Sequence, residues 1–400
     1  MYAIEHWMND PAARAAAASF GDGSAIVETA IAIQQIPAPT FDEARRGADV
    51  AERMSALHLA DVRIDVIGNV YGRRAGRAGG PGLLIAAHLD TVFPAGTNLA
   101  VRHDGARIYG PGLGDNSMGV AALLHLAQAL AQADVAHAGD IWFVANVGEE
   151  GLGDLRGMKY LFTKGPYRDR IKTFISVDGS GSGEDITHGA VGSKRYRVTF
   201  KGPGGHSYGA FGLVNPAYAM GSAIQKFSKL TVPVSPKTTF NVGVVGGGTS
   251  VNSIPFESWM EIDMRSESPA ELQKLDAAFQ SLVKQAVDEE NAARSTREGR
   301  ITADVKLVGD RPSGLTPRDS VLVQTAAAAV RAGGMTPRFG YSSTDSNIPI
   351  SLGIPAITID SGGRGDRAHA LDEWIDVEKS SSLPGIRSAL ILLLTSAGLK

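Results

Sequence analysis

The chain has 400 residues, 43% hydrophobic and 20% charged, with a formal net charge of −3. That length exceeds the usual size of one hydrophobic core and predicts two domains in a soluble globular protein. Interspersed charges leave no nucleic-acid footprint or polybasic membrane patch, and the lack of cysteine excludes disulfides, thiolate metal sites and cysteine nucleophiles.

The N-terminal stretch MYAIEHWMNDPAARAAAASF carries acidic residues and no continuous apolar h-region, so it does not read as a signal peptide. Residues 24–60 read as helical, with a break at Ile36–Phe41 where two prolines forbid continuation. Short apolar runs at Leu83–Ala87, Ile141–Asn146 and Phe174–Val177 lack strict alternation, the pattern of strands covered on both faces. Between the first two lies an Ala/Leu-rich helix, Gly119–Leu130. The pair Arg73-Arg74 with Arg77 reads as a solvated loop.

From about residue 191 to 312 the pattern changes. Strand Tyr196–Lys201, helix Pro216–Leu230, strands Thr238–Val245 and Glu257–Arg265, helix Pro269–Asn291 and strand Ile301–Val308 give the order β-α-β-β-α-β. That is the split unit of a ferredoxin-like sandwich. A helix (Ser320–Ala332), a strand (Ala356–Ile359) and a closing helix (Ser380–Thr395) then complete the chain. The apolar run Leu390–Leu394 is too short to span a bilayer. The expected architecture is an α/β domain with a mixed, mostly parallel sheet between helices, interrupted by an α+β insertion. Its parts are 1–190 and 313–400 for the α/β domain and 191–312 for the insertion. A cytoplasmic location is the default.

Polar residues gather where the apolar runs end. LLIAAHLD places His88 and Asp90 there, FVANVGEE places Glu149 and Glu150, and FISVDGSG places Asp178. In an open α/β sheet, ligands bind beyond the carboxyl ends of the strands, so three strands deliver these groups to one edge. GPGLGDNSMG adds Asp115 in a glycine-rich loop before a helix, and RAHALDE adds His369. A hard-donor set without thiols suits Zn²⁺, Mn²⁺ or Co²⁺. Each member alone has an ordinary explanation, such as a helix cap or a solvated carboxylate. Their joint arrangement does not.

Together His88-x-Asp90, the GxGxxD loop with Asp115, Glu149-Glu150, Asp178 and His369 resemble the M20 family of metallopeptidases and amidohydrolases. That family takes in tripeptidase T-like, carboxypeptidase G2-like and aminoacylase-like enzymes. The resemblance runs from about residue 24 to the end and includes the insertion, which corresponds to the family's lid. It implies two divalent ions, zinc foremost, with manganese or cobalt as substitutes. Asp115 would bridge them, His88 and Asp178 completing one site and Glu150 with His369 the other. Glu149 would be the general base acting on a metal-bridging hydroxide, and Asp90 would orient the His88 ring. In the lid, His206 would stabilise the oxyanion, while Asn252 and Arg265 would hold the substrate, the arginine gripping its carboxylate. A homodimer through the lid is also implied. The loop departs from the common family pattern by reading Asp115-Asn116-Ser117, where many members carry Lys.

The expected reaction is cleavage of a peptide or N-acyl amino acid bond in a small carboxylate-bearing substrate. The same site could instead cleave a carbamoyl group or an aromatic amine, in a deaminase-like manner. Gly205-His206-Ser207-Tyr208-Gly209 also fits the G-x-S-x-G elbow of serine hydrolases, which needs a sharp strand-to-helix turn at Ser207. The glycines of Gly110–Gly114 and Gly246–Gly248 lack the spacing of a nucleotide loop. A binding protein that had lost its chemistry should lack a ligand or the base, and here all are present.

Overall fold

The computed structural model describes residues 2–77 and 80–398. The chain divides into two compact units, one made of 1–190 with 315–400 and the other of 191–314.

In the first unit a mixed sheet runs through Ala60–Ile64, Val70–Arg74, Gly139–Asn146, Gly80–His88, Ile171–Val177, Ala356–Ile359 and Asp185–Ala190. Arg338–Ser342 also pairs with the last of these. The middle pairs are parallel and those at the Ala60 end are antiparallel. The apolar runs lack alternation because both faces are covered. Leu83, Ile85 and Ala87 enter one apolar layer, with Leu123, Leu126, Leu390 and Leu393 from helices Met118–Gln132 and Lys379–Ala397. Leu84 and Ala86 enter another, with Trp142, Met158 and Leu161. Each leucine, isoleucine or methionine among them contributes roughly 1.5–3 kcal/mol on burial, and the alanines less.

The helix expected over 24–60 divides into Ser24–Gln34 and Ala44–Ala56, and the chain has entered a strand by Ala60. Two further helices, Tyr2–Asn9 and Pro11–Ser19, precede them, the second capped by Asp10 with Pro11 at its first position. The solvated-loop reading of Arg73-Arg74 is corrected. Both lie on strand Val70–Arg74 and are partly buried. Arg73 Nε donates to Asp61 at 2.7 Å and Nη1 to Asp140 at 3.2 Å, and its guanidinium lies over Trp142. Carboxylates on neighbouring segments let the arginines lie down on the sheet, and no local sequence pattern reports them.

The second unit has an antiparallel sheet in the order Thr238–Gly247, Glu257–Ser266, Gly192–Lys201, Thr302–Arg311. Burial alternates along Glu257–Ser266, so one face packs and the other stays open. Helices Pro216–Phe227 and Pro269–Ala293 cover the packed face, with Phe227, Phe279, Met260 and Ile262 in one core. Asn215 and Ser268 cap them, each followed by proline. This is the expected ferredoxin-like α+β unit. No helix among the described residues is long and apolar enough to cross a membrane.

Candidate metal centre

Three parallel strands exit at one edge of the first unit's sheet. His88 ends Gly80–His88, Glu149 and Glu150 follow Gly139–Asn146, and Asp178 follows Ile171–Val177. Asp115 sits in the tight turn Leu113–Ser117, immediately before helix Met118–Gln132. His369 lies in the turn between the paired strands Arg364–Asp366 and Trp374–Asp376, with φ +68°. A non-glycine residue in that region carries strain, and such strain clusters at functional sites.

These side chains meet. Asp115 Oδ1 lies 3.1 Å from His88 Nε2, and Oδ2 lies 3.2 Å from His369 Nε2. Asp178 Oδ1 is 3.4 Å from His88 Nε2, and Glu150 Oε1 is 3.0 Å from His369 Nε2. Possible ligand atoms of His88, Asp115 and Asp178 fall within 4.8 Å of one another, as do those of Asp115, Glu150 and His369. The two groups share Asp115. A third combination, His88 with Glu149 and Glu150, meets the same limit.

The electrostatics fit a cation site. Burial opposes a charge on His88, yet Asp115, Asp178 and Asp90 hold its pKa well above the ordinary value. Asp115 and Glu150 push His369 up to about 10. Asp115 stays ionised, its pKa lowered by the two imidazoles against the effect of burial. Its buried Oδ1 faces His88 without a hydrogen bond of regular geometry. Carboxylates thus outnumber imidazoles around Nε2 atoms that point at oxygen. Hard oxygen and imidazole donors in two groups sharing one carboxylate suit a pair of divalent ions.

Asp90 is fully buried and braces the strand exits. Its Oδ1 accepts from Glu149 N–H at 2.9 Å, and its Oδ2 accepts from Glu150 N–H at 3.0 Å and Thr40 Oγ1 at 2.8 Å. His88 Nδ1 lies 3.1 Å from the Asp90 carbonyl oxygen and 3.6 Å from its carboxylate. The peptide oxygen is therefore the closer ring partner. Asn116, in the loop that departs from the family pattern, is buried and donates from Nδ2 to Val177 O at 2.9 Å, next to Asp178. Ser117 Oγ closes the same turn on Gly112 O at 2.7 Å. A Cβ at Gly119 would come within 2.0 Å of Asn116 Oδ1, so glycine is required there.

Several buried or partly buried carboxylates carried no sequence signal. Asp345 accepts from Asn146 Nδ2 at 2.8 Å, and Asn146 is the sheet partner of His88. Glu373 faces the Asp115 turn. Asp360 accepts from Gly183 N–H at 3.1 Å, and burial, then Asp185, pushes its pKa up to about 7. The native state therefore keeps a proton that the unfolded chain releases near pH 4. Stability falls as pH rises through that window, and the loss is complete above about 7. In metal-free protein, Asp360→Asn should raise stability by about 1–3 kcal/mol at pH 8 and by less at pH 5, as read by urea denaturation.

In the second unit, Gly205–His206 pairs with Ser253–Ile254, which sets His206 beside Asn252. Asn252 O accepts from Ser207 N–H at 2.9 Å. His206 Nδ1 accepts from the N–H groups of Tyr208 and Gly209, each at 3.2 Å, so the ring proton belongs on Nε2. Arg265 Nε donates to Asp263 Oδ2 at 2.7 Å, and Arg195 holds Oδ1 of the same carboxylate. Turns, then an isolated bridge at Leu213, separate Ser207 from the helix at Pro216, so the strand-to-helix elbow of a serine hydrolase is absent at this position.

Residues 84–393 match the model of peptidase family M20/M25/M40. A succinyl-diaminopimelate desuccinylase of Corynebacterium glutamicum is 25% identical over 363 residues, covering 88% of this chain and 92% of that protein. A tripeptidase of Staphylococcus aureus shares the fold with a TM-score of 0.76 at 22% identity, over 94% of this chain and 98% of that one. A Bacillus subtilis protein, YXEP, described as a dinuclear metal binding peptidase, does so with a TM-score of 0.68 at 16% identity, over 94% and 99%.

Proposed function

The chain belongs to peptidase family M20/M25/M40 and is a metal-dependent amide-bond hydrolase, and from that premise we propose that it cleaves a peptide or N-acyl amino acid bond in a small carboxylate-bearing substrate. The observation that carries this reading is the pair of ligand groups sharing Asp115, with Glu149 buried beside them. Two divalent ions, zinc foremost and manganese or cobalt chemically admissible, would be held by His88, Asp178 and Asp115 and by Asp115, Glu150 and His369, supplying Lewis acidity and an acidified water.

Glu149 takes the proton of the attacking water and returns it to the leaving nitrogen. Asp90 fixes the segment that carries Glu149 and Glu150, and holds the His88 ring through its carbonyl. His206 offers Nε2–H to the developing oxyanion, since its Nδ1 is already an acceptor. Asn252 and Arg265 hold the substrate, the arginine gripping its carboxylate. The arginine's ion pair with Asp263 uses Nε, and a guanidinium forks to a carboxylate through its other nitrogens. The desuccinylase relative supports the N-acyl half of the reading.

The test is dialysis against a strong chelator, followed by readdition of zinc, manganese or cobalt in a screen of dipeptides, tripeptides, N-acyl amino acids, carbamoyl compounds and aromatic amines. Ion-dependent hydrolysis of peptides or N-acyl amino acids supports the assignment. Full turnover after chelation, or activity confined to carbamoyl compounds or aromatic amines, overturns it. His206→Ala is expected to lower kcat by roughly 10²–10³-fold, the cost of one oxyanion donor. A change in KM alone would reject that role.

A homodimer through the second unit belongs to the same proposal. Strand Thr238–Gly247 is an edge of its sheet and exposes Val244 and Val245. Light scattering should give about twice 41.9 kDa, and the monomer mass would refute it.

A further inference from the structure

Asp115 and His369 reach the centre on segments far apart in sequence, and one buried carboxylate ties those segments together. Glu373 Oε1 accepts from the backbone N–H groups of Gly114 and Asp115, each at 2.7 Å, and Oε2 accepts from Gly112 N–H at 2.7 Å. The Glu373 carbonyl accepts from Gly110 N–H at 2.8 Å, so four donors of one loop end on one residue. The approach is close: a Cβ on Gly114 would lie 2.9 Å from Oε1.

On its other side Glu373 closes the turn of His369, its N–H donating to Ala370 O at 3.1 Å. It directly precedes strand Trp374–Asp376, which pairs with Arg107–Tyr109, the strand leading into the Asp115 loop. His88 and Asp178, by contrast, ride on strand ends of the main sheet and owe their placement to its ladder. A buried carboxylate is costly unless its acceptors are filled, and here they are filled by the loop whose side chain must face both imidazoles.

We infer that Glu373 is a positioning residue of the metal pair. It sets the register between the Asp115 loop and the His369 turn, so the Asp115–Glu150–His369 group depends on it more than the His88–Asp115–Asp178 group does. The inference rests on the two-ion reading above.

Co²⁺ alone is the probe, titrated calorimetrically and by its visible absorption into metal-free full-length protein, wild type, Glu373→Gln and Glu373→Asp. Glutamine keeps the shape but turns an N–H₂ toward backbone donors, and aspartate keeps the charge but withdraws it by one methylene. Wild type should take two ions. Each variant should bind the second about 10- to 100-fold more weakly, the usual effect of losing a group that orients a ligand. The first ion, which also uses Asp115, should be weakened less than the second, and the metal-free melting temperature should fall by no more than a few degrees as buried donors lose their acceptor.

Equal affinities in wild type and Glu373→Gln would overturn the inference while leaving the two-ion reading intact. Equal weakening of both ions with a larger fall in metal-free melting would also overturn it, assigning Glu373 to general support of the fold. Wild-type behaviour of Glu373→Asp would put charge in place of reach, and the positioning role would fall. A wild-type protein that binds no Co²⁺ pair would instead sink the metal reading itself.

Discussion

Glu149→Gln should lower kcat by roughly 10²–10⁴-fold while the protein still binds two ions. The substitution keeps the side chain's volume and removes its capacity to accept a proton. The backbone of Glu149 is pinned by its N–H to Asp90 Oδ1 at 2.9 Å, so the carboxyl group is delivered by a braced segment and not by a mobile loop. The two ligand groups that share Asp115 do not need it, although it also falls within reach of His88 and Glu150. Metal stoichiometry therefore separates the two roles. A base lost from a loaded centre leaves two ions and little change in KM, whereas a lost ligand removes an ion. Calorimetric titration beside steady-state kinetics reads both. Near-normal turnover in this variant would move the proton-transfer role elsewhere.

Asp115→Ala is expected to be as severe for a different reason. One carboxylate reaches both imidazoles, at 3.1 Å and 3.2 Å, so its removal strips an oxygen from each ligand group at once. A bound pair of divalent ions would stabilise charge in the transition state by several kcal/mol, and at 1.36 kcal/mol per factor of ten its loss would cost about 10³-fold or more in kcat/KM. The imidazoles change too, because Asp115 is the first contributor to the raised pKa of His369 and the first of the partners that raise His88. Stoichiometry below two Co²⁺ per chain should accompany the kinetic loss. Two ions bound with wild-type affinity would refute the bridging role.

The parts of this molecule that sequence made legible share one property: their signal is local. Leu83–Ala87 reads as a covered strand because both faces meet apolar layers, and His88 reads as a site residue because it stands where that strand ends. Proline at the first position marks Pro216–Phe227 and Pro269–Ala293 as helices. What stayed hidden depends on partners distant in the chain. Glu373 looks like a solvated carboxylate in RAHALDE until the N–H groups of Gly112, Gly114 and Asp115 arrive. Asp345 means nothing without Asn146. Arg73 and Arg74 suggest a wet loop because charge is counted before Asp61 and Asp140 can be placed against Arg73. Backbone amides as hydrogen-bond donors leave no trace in residue identity, so carboxylates that serve them are the hardest to read.

Strand Ala356–Ile359 lies between Ile171–Val177 and Asp185–Ala190, parallel to the first and antiparallel to the second. A ribosome therefore releases both flanking strands long before the one that fills the slot. The nascent chain must carry two unpaired edges through synthesis of the whole second unit, the interval in which such edges invite mispairing with other chains. Deleting the tail from residue 356 onward would thus produce a sheet with an open seam, not a smaller working enzyme, and His369 would be lost with it.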